Sequence, residues 1–183
     1  MLTNLQRGNF RAKTPEVHSE ERGLHQLAAQ GQFAMLEQRL KEHNSDVNAT
    51  DKHGLTILHW AAAYGQAQTV NFILDNNADV NVVGNHEMTP VLLASARGHA
   101  DVLARLITDG ADVCCTDESC TTALMYAAHG GHHHCVQLLL EAGSDFLATN
   151  SNGRTAFDIA IAFAHTTVQQ VLENHMCMLF ESG

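Results

Sequence analysis

Asp51-Lys52-His53-Gly54-Leu55-Thr56-Ile57-Leu58-His59-Trp60-Ala61-Ala62-Ala63-Tyr64-Gly65 is the stretch that decides the fold. Its residues return down the chain at one fixed step. Thr56, Thr89, Thr122 and Thr155 are each 33 residues apart. Ala61, Ala94, Ala127 and Ala160 keep that step, as do Asp46, Asp79, Asp112 and Asp145. Gly65, Gly98 and Gly131 form a fourth ladder, with Ala164 in the last place. Four independent ladders at one period define a structural unit of that length, stacked on copies of itself.

The unit reads as a turn followed by two antiparallel helices. Thr56 and its equivalents are placed to cap the first helix by accepting a backbone N–H. Pro90 suits a first helical turn, where its missing donor costs nothing. The paired alanines let neighbouring helices approach closely. Gly65, Gly98 and Gly131 end the first helix in the left-handed conformation, and Asn77, Gly110 and Gly143 end the second. The second helices carry Val70, Ile73, Leu74; Leu103, Leu106, Ile107; and Val136, Leu139, Leu140. Spacings of three and four put each trio on one buried face. The stretch from Asp51 to Gly65, with Ala78-Asp79-Val80-Asn81 at its close, resembles the ankyrin pattern D-x-x-G-x-T-P-L-H-x-A-A-x-x-G…G-A-D-x-N. The expected fold is therefore all-α: an ankyrin-repeat solenoid of about five helix-turn-helix repeats, with a concave groove formed by the inner helices. The units are expected at 17–50, 51–83, 84–116, 117–149 and 150–183, after a flexible segment at 1–16. The first and last are caps, with Leu27 where an alanine belongs and Glu173 and Asn174 where other repeats are apolar.

Composition narrows the function classes. The net charge is -10, and the ten Lys and Arg are scattered without a short basic cluster. Direct nucleic-acid binding, which needs clustered cations, is not expected. No run of eighteen apolar residues exists, so no membrane insertion is expected. The first sixteen residues mix polar, charged and apolar types and make neither a secretion signal nor an amphipathic presequence. The odd set of five cysteines, Cys114, Cys115, Cys120, Cys135 and Cys177, points to a reducing compartment. No phosphate-loop, dinucleotide or nucleophile-elbow pattern occurs, so neither enzyme activity nor a cofactor is expected. His132-His133-His134-Cys135 opens a helix with successive side chains that fan apart, a poor tetrahedral set for zinc.

A repeat array works through its concave face. Repeat positions 2, 3 and 5 lie on the turn, and positions 10, 13 and 14 on the open side of the first helix. They yield a peptide-binding set of Leu55, Trp60, Tyr64, Met88, Leu93, Arg97, Tyr126, His129, Ile159 and Phe163. The chain's one Trp and both Tyr fall within it, and such residues dominate interface hot spots. The alternative is half-buried packing between adjacent first helices.

Further stretches are specific to one branch. They are Leu2-Thr3-Asn4, Arg7-Gly8-Asn9, His25-Gln26-Leu27-Ala28-Ala29-Gln30-Gly31, Tyr126-Ala127 and Val168-Gln169-Gln170-Val171-Leu172-Glu173-Asn174-His175. With Leu179-Phe180 they look like the family formed by the ankyrin-containing subunit of the regulatory factor X complex and its paralogue, ankyrin repeat family A protein. The resemblance implies a groove for a Pro-x-Leu-Pro-x-Ile/Leu peptide, with Trp60 and Tyr126 as groove aromatics. It implies partners among class IIa histone deacetylases, regulatory factor X DNA-binding subunits and an endocytic receptor tail. It implies a transcriptional adaptor, monomeric, in nucleus and cytoplasm. A cytoplasmic adaptor on a receptor tail, or an array binding a folded partner, are the alternatives. Departures stand at Glu118, Cys120 and Thr121, and at Thr89-Pro90-Val91-Leu92-Leu93.

Overall fold

A computed structural model describes residues 23–43 and 46–181; the segment expected to be flexible, 1–16, lies outside them. Among the described residues the chain forms ten α-helices in two layers. The inner layer holds α1 (Leu24–Ala29), α3 (Ile57–Ala63), α5 (Pro90–Arg97), α7 (Ala123–Gly130) and α9 (Ala156–Ala162). The outer layer holds α2 (Phe33–His43), α4 (Ala67–Asp75), α6 (Ala100–Thr108), α8 (His133–Glu141) and α10 (Thr166–Glu181). Each inner helix packs on the next inner helix and on the outer helix that follows it. This is the expected ankyrin solenoid, and its helix pairs number five.

Local chemistry sets each boundary. The Thr89 hydroxyl accepts from the Leu92 N–H at 3.4 Å, and Thr122 accepts from Met125 at 3.2 Å. Thr155 and Asp158 cap α9 reciprocally, Asp158 N–H donating to the threonine hydroxyl at 3.2 Å and Thr155 N–H to the carboxylate at 2.9 Å. Thr56 differs: its own N–H donates to His59 Nδ1 at 3.1 Å, so the buried imidazole satisfies the start of α3. Each connecting hairpin closes on one bond, from the first-position N–H to the fifth-position carbonyl: Asp51 to Leu55, Gly84 to Met88, Asp117 to Thr121 and Asn150 to Arg154, at 2.8–3.2 Å.

The glycine ladder is a packing requirement as well as a turn. Gly65, Gly98 and Gly131 have φ between +68° and +74°. A methyl on any of them would lie 2.5–2.8 Å from the ring of His99, His132 or His165, one repeat further on. His99 Nε2 reaches the Ala63 carbonyl (3.2 Å), and His165 Nε2 the His129 carbonyl (2.9 Å). Gln66 does the same to Ala29 at 3.2 Å. Ala164, at φ 56°, is the one alanine in this series. A second ladder joins the loops: Asn48 Oδ1 accepts from the Asp79 N–H (3.0 Å) and Asn81 Oδ1 from the Asp112 N–H (2.8 Å). Cys114 replaces the next asparagine, and there Ser144 donates to the Val113 carbonyl instead, at 3.3 Å.

The core runs unbroken between the layers. Val70, Ile73, Leu103, Leu106, Val136 and Leu139 are fully buried, as are Ala61, Ala62, Ala94, Ala127 and Ala128. In the first repeat Leu27 takes the alanine position and is itself fully buried. In the last, Glu173 and Asn174 face solvent while Val168 and Leu172 close the core.

Candidate functional site

Two hollows open along the inner helices. The first, about 480 Å³, lies between α1 and α3 and is lined by His25, Gln26, Ala29, Gln30, Trp60 and Tyr64. The Trp60 and Tyr64 rings stack at 6.1 Å, inclined by 15°. The Trp60 indole N–H donates to Asp51 Oδ2 at 2.9 Å. The other carboxylate oxygen of Asp51 accepts from the His53 N–H (2.7 Å) and the Leu55 N–H (3.0 Å). Partial burial works to raise the Asp51 pKa, but the donated bonds from Leu55, His53 and Trp60 outweigh it and hold the carboxyl below its ordinary value.

The second hollow, about 220 Å³, lies between α7 and α9. Tyr126, Met125 and His129 line it from α7, Ile159 and Phe163 from α9, and Asn150, Asn152 and Arg154 from the hairpin. Its architecture repeats the first, 66 residues on. The Tyr126 hydroxyl donates to Asp117 Oδ2 at 2.7 Å, while Oδ1 accepts from the Ser119 (2.9 Å) and Thr121 (2.8 Å) N–H groups. Burial first, then the adjacent Asp117 carboxylate, push the Tyr126 phenol up to about 12. The His129 and Phe163 rings meet edge to face at 4.3 Å. At the equivalent pairs Gly84 with Leu93, and Asn150 with Ile159, no such link forms because the tenth position is aliphatic.

The expected binding residues thus fall into groups. Trp60 and Tyr64 line the first hollow; Tyr126, His129, Ile159 and Phe163 line the second. Tyr64 (56% exposed) and Phe163 (49%) offer broad surface, whereas Ile159 is only 7% exposed and presents an edge. Leu55, Met88, Leu93 and Arg97 line neither hollow. Leu55 packs over Gly84, and Met88 and Leu93 are half-buried. Arg97 is exposed at the end of α5, which packs between α3 and α7. Four lining residues from the first repeat, His25, Gln26, Ala29 and Gln30, are absent from the sequence-derived set. So are Asp51, Asp117 and Arg154.

The histidine run serves packing: the His132 ring sits against Gly98, and the His133 and His134 rings lie 4.1 Å apart. Cys135 is buried, and burial pushes its thiol up to about 11. Among the described residues no group of three or more His, Cys, Asp or Glu is gathered as a metal ion would need. None of their helices is long and apolar enough to cross a membrane.

Comparison with known proteins agrees with this architecture. The model of the family "Ankyrin repeats (3 copies)" matches residues 24–117 and again 91–178. The human protein named DNA-binding protein RFXANK is 42% identical over 74 residues, covering 40% of this chain and 28% of that protein. Human Ankyrin repeat family A protein 2 is 45% identical over 73 residues, covering 40% of this chain and 23% of that protein. The matched region therefore spans about a quarter of those relatives' length. Stacked helix pairs, their glycine–histidine ladder and the family match agree: the chain belongs to the ankyrin-repeat family, a protein-interaction scaffold.

Proposed function

We propose that this chain is a non-enzymatic adaptor that holds an extended Pro-x-Leu-Pro-x-Ile/Leu peptide across its inner-helix face. In this role it recruits class IIa histone deacetylases or helps assemble a regulatory factor X complex, with work in both nucleus and cytoplasm. One observation carries the reading. Two aromatic anchors, Trp60 and Tyr126, stand two inner helices apart, each oriented by a carboxylate and each facing a hollow.

The distances suit such a guest. Inner helices pack roughly 8–10 Å apart, so α3 and α7 are separated by about 16–20 Å. A polyproline II strand rises about 3.1 Å per residue, so about six residues cover that span. The motif has that length, and its prolines reduce the entropy lost on binding. Because the hydrogen-bonding ends of both aromatics are already engaged by Asp51 and Asp117, the ligand meets mainly their apolar faces, as leucine and isoleucine require. The relatives at 42% and 45% identity support the partner class. The DNA binding in the name of one of them is not assigned to this array, whose net charge is -10.

The test is a titration of a fluorescent Pro-x-Leu-Pro-x-Leu peptide against the wild type and Trp60→Ala. Expected are a Kd on the order of micromolar, about -8 kcal/mol, and a loss of at least about tenfold in the variant. A wild type that does not bind removes both the motif and the partner list.

A further inference from the structure

The groove has a charge pattern as well as a shape, and a role for that pattern in ligand choice rests on the proposed peptide binding. Six Lys or Arg lie among the described residues: Arg39, Lys41, Lys52, Arg97, Arg105 and Arg154. Lys41 pairs with Glu37 at 2.6 Å, and Arg105 pairs with Asp75 (2.8 Å) and Asp109. Both of these cations sit in the outer layer, on α2 and α6.

Arg97 is different. It is exposed, it ends α5, and it makes no hydrogen bond or ion pair among the described residues. It follows Tyr64 by 33 residues and precedes Phe163 by 66, so it occupies the register position of the two side chains that line the hollows. Its cation therefore stands on the same face, midway between the two anchors. Arg154 adds a second cation on the rim of the second hollow.

The acids of this face do not neutralise Arg97. Asp51 and Asp117 each accept three internal hydrogen bonds. Glu118 pairs with His86 at 3.0 Å, and Asp158 is engaged by Thr155, with the Arg154 charge beside it. Glu87, at the third hairpin tip, is exposed. In a protein of net charge -10, an unpaired cation between two apolar hollows selects a complementary anion.

We infer that the bound peptide carries an aspartate or glutamate at a variable position of its motif, between the two anchoring residues, and that Arg97 reads it. The contact is solvent-exposed, so it discriminates by only several-fold and weakens with salt.

The experiment uses three peptides that differ only at the variable positions, which are Glu, Gln or Lys. Each is titrated against the wild type, Arg97→Glu and Trp60→Ala, in low and high salt. The wild type is expected to bind the Glu peptide about fivefold or more tighter than the Lys peptide, with the gap closing in high salt. Arg97→Glu is expected to reverse that order while leaving the Gln peptide within about twofold. Equal binding of all three peptides by the wild type, or an unchanged order in Arg97→Glu, overturns the inference while Trp60→Ala still weakens every peptide. If no peptide binds the wild type, the peptide reading itself falls, and this inference with it.

Discussion

Trp60 donates its indole N–H to Asp51 across 2.9 Å, from the tenth position of a repeat to the first, and Tyr126 bonds Asp117 in the same way at 2.7 Å. Each carboxylate also gathers two backbone N–H groups of its own hairpin. Hairpin and aromatic are thus one rigid unit, and the ring presented to a ligand is fixed before binding.

Replacing the carboxylate separates positioning from contact. Asp51→Ala retains the indole but releases it, together with the His53 and Leu55 N–H groups. Urea unfolding should show a loss of about 1–2 kcal/mol, because charge-assisted bonds at a half-exposed site are worth that much. Peptide affinity should fall about threefold to tenfold, less than for Trp60→Ala. An affinity equal to wild type would mean that the ring needs no buttress.

The left-handed positions predict opposite signs for two substitutions. Ala164 sits at φ 56° with a side chain that this region disfavours. Ala164→Gly should raise stability by about 1 kcal/mol, after the extra entropy of the unfolded glycine is counted. Gly98→Ala should cost about 2 kcal/mol or more, since it meets both the φ of +74° and the His132 ring at 2.5 Å. Thermal melts of the two variants check both signs.

His59 should make folding sensitive to mild acid. Burial lowers its pKa, and neither the bond to the Met88 carbonyl nor the Asp51 charge restores it. Its Nδ1 accepts the Thr56 N–H, leaving Nε2–H for Met88 at 3.0 Å, so the neutral form is the one that fits. With the folded pKa below the unfolded value of 6.5, the unfolded chain binds more protons as pH falls. Stability should be full above that pH and decline below it. The carboxylates Asp51, Asp117 and Asp158, also lowered, lose stability only as pH falls below about 3.8, a separate window. Urea midpoints at pH 7.5 and 5 should differ more for wild type than for His59→Gln.

Tyr126 predicts the alkaline limb. Its phenol, raised from 10.0 to about 12, keeps its proton in the fold after an unfolded tyrosine has lost it. The contribution is complete below pH 10 and is lost as pH rises toward 12. Absorbance of phenolate should show one late step in the wild type, absent from Tyr126→Phe.

Much of this was legible because repetition turns single residues into ladders. Thr56, Gly65 and Ala61 with their equivalents located the inner helices, and the Val70, Ile73, Leu74 series located the outer ones. The caps showed equally well in Leu27 and Glu173. What escaped was interaction between levels of one repeat. The nine-residue spacing of Asp51 to Trp60 and of Asp117 to Tyr126 is present in the sequence, but an acid at a turn already has a local use, and its reach to the ring shows only in three dimensions. The first repeat's share of the hollow was hidden by its extra residue: moving Trp60 and Tyr64 back by 34, not 33, lands on Gln26 and Gln30. Ile159 holds an equivalent position to Trp60, yet a short aliphatic chain sinks against its neighbours where an indole must stay half out.

Ala164 also sets a rule for lengthening such an array by duplication. Every earlier member of its series is a glycine whose missing methyl leaves room for the His or Gln ring or amide of the following unit. A copy of an internal repeat grafted after the fifth would bring its histidine onto the Ala164 methyl, and the new interface would not close. Duplication between the second and fourth repeats meets glycine on both sides of the graft. In this chain, growth is therefore open in the middle and sterically barred at the fifth repeat, until one methyl group is removed.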